Sequence, residues 1–377
     1  MVRSRLGISL GLLAATGLLA ACGVLPFLKA GPVTPTGVGV QVHLWGYPDT
    51  TQRDLELARA AGFTWVKQLF PWAYIEGDVQ GRFEWAEPDR VVDAVDRAGL
   101  KLIVRLDMQP AWARADRIFP QVGPPDRMSD WGDFVYAMAK RYKGRIAAYE
   151  VWNEPNLARE WGERPPSAAE YVRLLQVAHQ AVKLGDPDAL VITGGLSPTT
   201  DLSDRARADV VYLKEMYGAG AKGNFDLLGV HAAGYKSPPE ADPAEVARSA
   251  ELTNNDPSPE ELRRSYSFRH VEDLRRVMEE NGDGDKRIAI LEMGWTSDPR
   301  PDSPYRWHAV SEEEKAEYLA RAVEYARNHW RPWLGPMIVW TFADPAWKPD
   351  QEQVYWAITN PDGSPRPAYD ALRRLLK

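Results

Sequence analysis

The chain has 377 residues, 44% hydrophobic and 26% charged, which supports a large buried core and excludes a disordered chain. A formal net charge of -7 argues against nucleic acid, which recruits a basic face, and an acidic surface suits anionic substrates poorly. The single Cys, Cys22, rules out an intramolecular disulfide and a Cys-based metal site, and the 6 His include no His-x-x-x-His pair.

The chain opens with Arg3 and Arg5, an apolar run from Leu6 to Ala21, and then Leu19-Ala20-Ala21-Cys22-Gly23. A basic start, a short apolar stretch and small residues before the cut read as a secretory signal over residues 1–21, too short for a membrane span. Leu-Ala-Ala-Cys resembles the bacterial lipoprotein box, which implies a lipid on Cys22 and an extracytoplasmic protein anchored in the cell envelope. Residues 22–37, rich in Gly and Pro, read as a tether.

From residue 38 to 377, β-branched runs alternate with amphipathic stretches. The expected strands are Val38–Leu44, Thr64–Phe70, Lys101–Asp107, Ile146–Trp152, Leu190–Gly194, Phe225–His231, Ile288–Glu292 and Met337–Thr341. Between them, Ser167-Ala-Ala-Glu170 and Ser311-Glu-Glu-Glu314 fit a capping box, in which Ser and Glu satisfy orphan backbone N–H groups reciprocally. Pro88 suits a first helical turn, and Gly62, Gly99 and Gly185 stand where helices would stop. Eight β-then-α units imply parallel strands and right-handed crossovers. The fold expected is α/β, a single-domain (β/α)8 TIM barrel, favoured over an open sheet because no Gly-x-Gly-x-x-Gly turn follows a strand. The Pro-rich stretch Lys236–Glu260 reads as a loop that could shape a cleft.

Catalytic groups of such a barrel sit at the C-terminal ends of its strands. The fourth strand ends Glu150-Val-Trp-Asn-Glu154-Pro-Asn156 and the seventh Ile288-Ala-Ile-Leu-Glu292-Met-Gly-Trp295. Alternation puts Glu150, Trp152 and Glu154 on one side, and Ile288, Ile290 and Glu292 on one side. Asn153 joins the site only if the strand bends before Pro155. Two carboxyls with different duties are what glycoside cleavage needs, one protonated toward the leaving oxygen and one attacking or directing water. The plainer reading is a pair of salt bridges to Arg105 or Lys67. Gln68 and Asp107 also end strands, as weaker candidates.

Glu150–Asn156 resembles the acid/base strand of clan A glycoside hydrolases, most closely family 39, which includes β-xylosidases and α-L-iduronidases. Ile290-Leu-Glu-Met-Gly294 is similar to the clan's nucleophile strand. The resemblance implies a retaining hydrolase of oligo- or polysaccharides, with Glu154 as acid/base, Glu292 as nucleophile and Asn153 on the sugar 2-hydroxyl. It also implies Trp340 as a floor under the sugar, with His231 or Tyr235 against the nucleophile. Family 5 usually carries an Arg late on the second strand, where this chain has Val66-Lys67-Gln68.

His43 ends the first strand and is a candidate for a sugar hydroxyl. Trp45, Trp72, Trp112, Trp161 and Trp295 follow strand ends as candidate cleft residues, Trp295 being taken into the site; Trp347 and Trp356 read as packing. The partners expected are a carbohydrate and, through the lipid, a membrane, with no nucleic acid, for a monomer that needs no cofactor or metal. A carbohydrate-binding lipoprotein and a transglycosylase on the same barrel are the alternatives.

Overall fold

The computed structural model describes residues 36–116 and 122–377; the expected signal, most of the tether and Cys22 lie outside the described residues. Eight parallel strands pair in sequence order: β1 (Val38–Gln41), β2 (Trp65–Pro71), β3 (Lys101–Asp107), β4 (Ala148–Val151), β5 (Leu190–Thr193), β6 (Leu227–Ala233), β7 (Arg287–Gly294) and β8 (Leu334–Val339). β8 pairs with β1 and closes the barrel. Each corresponds to an expected strand, its ends displaced by a few residues. The surrounding helices are α1 (Pro48–Ala61), α2 (Ala86–Ala98), α3 (Met128–Arg141), α4 (Ala168–Gly185), α5 (Asp209–Gly218), α6 (Val271–Glu280), α7 (Glu312–His329) and α8 (Pro367–Leu376).

Local chemistry sets the helix ends where the sequence marks them. Ser311 accepts from the Glu314 N–H, and Glu314 reaches back to the Ser311 N–H, a complete capping box opening α7. Ser167 caps α4 by accepting from the Glu170 N–H. Gly62 and Gly99 close α1 and α2 with φ of 88° and 67°, a conformation that costs a side-chain-bearing residue energy.

The barrel interior is stratified. Trp65, Ile103, Ala148, Ile192, Leu227, Ala289, Leu291 and Ile338 fill its lower part with apolar side chains. Two residues further along β2, β3 and β4, the inward positions become Lys67, Arg105 and Glu150. Just past the ends of β2 and β4, a run of aromatic contacts, Trp72–Trp131–Trp152–Trp161–Tyr171, with ring centroids 5.4, 5.8, 6.0 and 6.2 Å apart, joins the strand ends to α3 and α4. Dense packing of this kind fixes the strands that carry the charged layer.

Candidate active site

The charged layer opens into a cavity of about 570 Å³ at the C-terminal mouth of the barrel, lined by Arg105, Asn153, Glu154, Arg159, Glu160, His231, Tyr235, Glu292, Tyr305, Trp340, Glu352 and Trp356 among others. A groove of about 710 Å³ on the outer surface of α7 and α8 is larger but holds none of this chemistry; its charged wall includes Arg321, already paired with Glu317.

Both glutamates reach the mouth by breaking strand alternation. β4 ends at Val151, and Trp152 and Glu154 take φ of 72° and 38°. That turn sends Trp152 outward into the aromatic layer and brings Asn153 and Glu154 together at the cavity. Grouping Trp152 with Glu154 on one face is therefore corrected, and Asn153 reaches the cavity through the bend. Asn156 pins the turn, its amide donating to the Ser197 and Arg207 carbonyls at 2.8 and 2.9 Å. In β7, the register against β6 passes from Val230–Ile290 to His231–Glu292, so Leu291 is an extra residue. The bulge puts Ala289 and Leu291 inside, leaves Ile288 and Ile290 in the outer core, and turns Glu292 inward. Grouping Ile288, Ile290 and Glu292 together is thus also corrected. Bulges of this kind re-aim side chains beside active sites.

His231 stands between the two carboxylates, with Nδ1 3.1 Å from Glu154 Oε1 and Nε2 3.7 Å from Glu292 Oε1. Gly195 makes room for it, since a Cβ there would lie 2.2 Å from His231 Nε2. Burial alone would lower the proton affinity of this imidazole, but the charge of Glu292 and the hydrogen bond and charge of Glu154 outweigh it and raise it. Burial pushes the Glu154 carboxyl up, yet His231 and Arg159 together hold it well below the usual carboxylate range. The carboxyl of Glu160 behaves oppositely: burial and the charges of Glu154 and Asp107 push it up to about 7.

Glu292 is met by cations. Lys67 Nζ donates to its Oε1 at 3.3 Å, and Arg105 approaches the same oxygen at 3.8 Å while pairing with Asp107 at 3.0 Å. Arg105 also donates to Asn153 Oδ1 at 3.2 Å, tying the two strand ends together. The plainer reading, salt bridges to Arg105 or Lys67, holds for Glu292 and not for Glu154, which pairs with Arg159 and His231 instead.

Of the remaining candidates, Trp340 and Tyr235 line the cavity, both half-buried. His43 stands outside its lining: Nε2 lies 3.1 Å from Thr341 Oγ1, Nδ1 faces Asp344 at 3.7 Å, and burial lowers the imidazole to about 4 despite Asp344. Trp295 is a core residue, fully buried, its N–H donating to the Ser237 carbonyl at 2.9 Å. Trp72 and Trp161 are fully buried, and Trp45 and Trp112 pack against the core. Gln68 is spent on Leu44 N–H at 2.7 Å, and Asp107 on Arg105. Residues 236–260 supply no wall to the cavity.

Sequence reasoning missed Arg159, Glu160, Tyr305 and Glu352, and assigned Trp356 to packing. All five sit on loops after strands, several residues past the strand-end positions. The one usable signal was the proximity of Arg159 and Glu160 to Glu154 in the same loop.

A family profile described as Cellulase (glycosyl hydrolase family 5) matches residues 30–242, a span that holds Glu154 and stops before β7. A β-xylosidase of Geobacillus stearothermophilus is 29% identical over 125 residues, which are 30% of this chain and 24% of that protein. The chain therefore matches about a quarter of the length of that relative. A family 39 glycoside hydrolase from Bacteroides cellulosilyticus WH2 superposes with a TM-score of 0.67 at 22% identity, covering 91% of this chain and 64% of that one. Xylanase 10B from Thermotoga maritima superposes with a TM-score of 0.58 at 16% identity, covering 90% of this chain and 94% of that one. At those identities the structural matches establish the shared barrel. The lean toward family 39 is met in part: the matching profile is that of family 5, and family 39 enters through the fold.

Proposed function

Because the chain belongs to glycosyl hydrolase family 5, the cellulase family, we propose that it cleaves O-glycosidic bonds of oligo- or polysaccharides by double displacement. Glu292 attacks the anomeric carbon while Glu154 gives its proton to the departing oxygen; water then takes the glycosyl group from Glu292, returning a proton to Glu154. The observation that carries this reading is the convergence of two strand-end carboxylates on one cavity, bridged by His231.

The two carboxylates have different surroundings. Lys67, Arg105 and His231 gather around Glu292 Oε1 at 3.3, 3.8 and 3.7 Å. Glu154 is held ionised by His231 and Arg159, so to act as acid it must first take the proton of His231, whose Nδ1 lies 3.1 Å away. Asn153, fixed by Arg105, is placed to bond the sugar 2-hydroxyl, and Trp340 offers a face to the ring. A β-xyloside is the first substrate to try, given the named relative. Lipidation at Cys22 would put this chemistry at the cell envelope.

A panel of activated aryl glycosides differing only in sugar tests the reading. Glu292→Ala is expected to lose on the order of 10⁴-fold or more in kcat, comparable with other nucleophile deletions. The product followed by proton NMR should first appear with the anomeric configuration of the substrate. Inverted product, or turnover surviving in Glu292→Ala, would remove Glu292 as nucleophile.

A further inference from the structure

Both oxygens of Glu154 are occupied. Oε1 stands 3.1 Å from His231 Nδ1, and Oε2 accepts from Arg159 Nη2. A general acid must turn one oxygen toward the leaving group, so one partner has to withdraw. His231 is buried and packed against Gly195, whereas Arg159 is exposed. An exposed ion pair is weakly held, so Arg159 is the partner that sugar can displace.

The displaced guanidinium has an acceptor within reach. Glu160 Oε1 lies 3.7 Å from Arg159 Nε, and the Glu160 carboxyl accepts no hydrogen bond from the described residues. The loop backbone does not have to move. Ala158–Glu160 form one short helical turn, the Glu160 carbonyl accepts from the Trp152 indole N–H at 2.8 Å, and the Ala158 N–H donates to the Arg205 carbonyl at 2.8 Å. With that frame fixed, the Arg159 side chain is the part free to turn. Glu352 lines the same cavity, but its Oε2 already accepts from the Trp356 indole N–H at 2.9 Å. Arg105 and Asp107 on β3 also face Glu160, and they pair with each other at 3.0 Å.

We propose that Glu160 is a positioning residue that receives Arg159 when Glu154 takes up its proton, so that Arg159 exchanges one carboxylate for the other and clears Glu154 Oε2 for the leaving oxygen. The proposal rests on reading Glu154 as the acid. The charges give the exchange its direction. While Glu154 is ionised, Arg159 stays on it, and burial with the charges of Glu154 and Asp107 pushes the Glu160 carboxyl up to about 7. Once Glu154 is neutral, Arg159 loses the charge that held it and Glu160 loses a like charge. Both changes draw the guanidinium to Glu160. A proton on Glu160 passes to solvent as the new pair forms, and none passes between the two glutamates.

The test uses phenyl and dinitrophenyl glycosides of one sugar, because phenoxide needs a proton to leave and dinitrophenoxide does not. Glu160→Gln keeps the shape of the protonated acid but cannot become the counter-charge of Arg159. Its kcat/KM should fall about tenfold more on the phenyl than on the dinitrophenyl glycoside, a part of what a general acid supplies. Adding Arg159→Gln to that variant should close the gap, since nothing then covers Glu154 Oε2. Equal losses on both glycosides in Glu160→Gln, or a gap that persists in the double variant, would overturn the proposal. A crystal structure of Glu154→Gln, which mimics the protonated acid, supplies a readout free of turnover. Arg159 should be found on Glu160 there, and Arg159 still bonded at position 154 would sink the exchange. Failure of the underlying reading looks different: Glu154→Gln would then lose equally on both glycosides, which removes Glu154 as the acid and the proposal with it.

Discussion

His231 and His270 are each buried between two carboxylates, and their surroundings separate a structural ion cluster from the candidate site. His270 is bonded on both sides: Nδ1 lies 3.1 Å from Asp273, and Nε2 3.0 Å from each oxygen of Asp209. Asp273 is held in turn by Arg264 and Arg276, at 2.8 and 2.9 Å, so the cluster joins α5 to α6. His231 has one bond of that quality, to Glu154, while its Nε2 has no hydrogen-bond partner among the described residues and faces Glu292 across 3.7 Å at the cavity wall. A fully bonded imidazolium holds elements together and has no reason to release its proton. A half-bonded one beside a cavity can pass a proton on, and the slack in its geometry is what permits it.

The largest effect that would break this comparison is on stability. Burial would lower the His270 imidazole, but Asp209 and Asp273 raise it to about 9 from 6.5. A folded-state value above the unfolded one gives stability that is whole below pH 6.5 and is lost as pH rises through about 9. His270→Gln should therefore lose about 3–5 kcal/mol at pH 6, the usual effect of breaking a buried pair, and lose the alkaline decline as well. Thermal unfolding across pH 6 to 10 measures both; an unchanged Tm at pH 6 would mean the cluster is not structural.

His231→Gln should do the reverse. It keeps a polar group at the cavity but removes the titrating one, so kcat/KM should fall about ten- to a hundredfold, toward the low end of general acid–base effects, while Tm stays near wild type. A lower Tm with undiminished kcat would make His231 a second His270.

The smallest effect sharpens the picture of Glu154. Arg159 is 61% exposed, so its pair with Glu154 adds little to stability. It does help hold the Glu154 carboxyl ionised, and its removal lets that carboxyl keep a proton to higher pH. Arg159→Gln should shift the alkaline limb of kcat/KM upward by less than about one unit, with a severalfold gain on that limb. A limb that stays in place or moves down would show that Arg159 acts on substrate rather than on Glu154.

Much of this molecule could be read directly from the chain. The alternation of β-branched runs with capped amphipathic stretches predicted eight units, because strand and helix periodicities and capping chemistry are local. The two carboxylates could be read as well, since each ends an apolar run. Their direction could not. Period-two alternation placed Ile290 with Glu292 and Trp152 with Glu154, but a bulge at Leu291 and left-handed backbone at Trp152 and Glu154 break that alternation. Both devices depend on pairing with neighbouring strands, which no single segment encodes. Tryptophans show the same limit: Trp295 and Trp356 each lie beyond a strand end, yet one is sealed in the core and the other borders the cavity.

By itself the sequence determined the barrel, the order of its units and the presence of a carboxylate at the ends of β4 and β7, because these follow from propensity, spacing and residue chemistry. Only the tertiary structure decided what surrounds each acid. Lys67, Arg105, Glu150 and His231 come from four strands, and they meet because a closed barrel turns the inward positions of distant segments into neighbours. At close range those neighbours, more than the carboxyl groups themselves, set the surroundings of each acid.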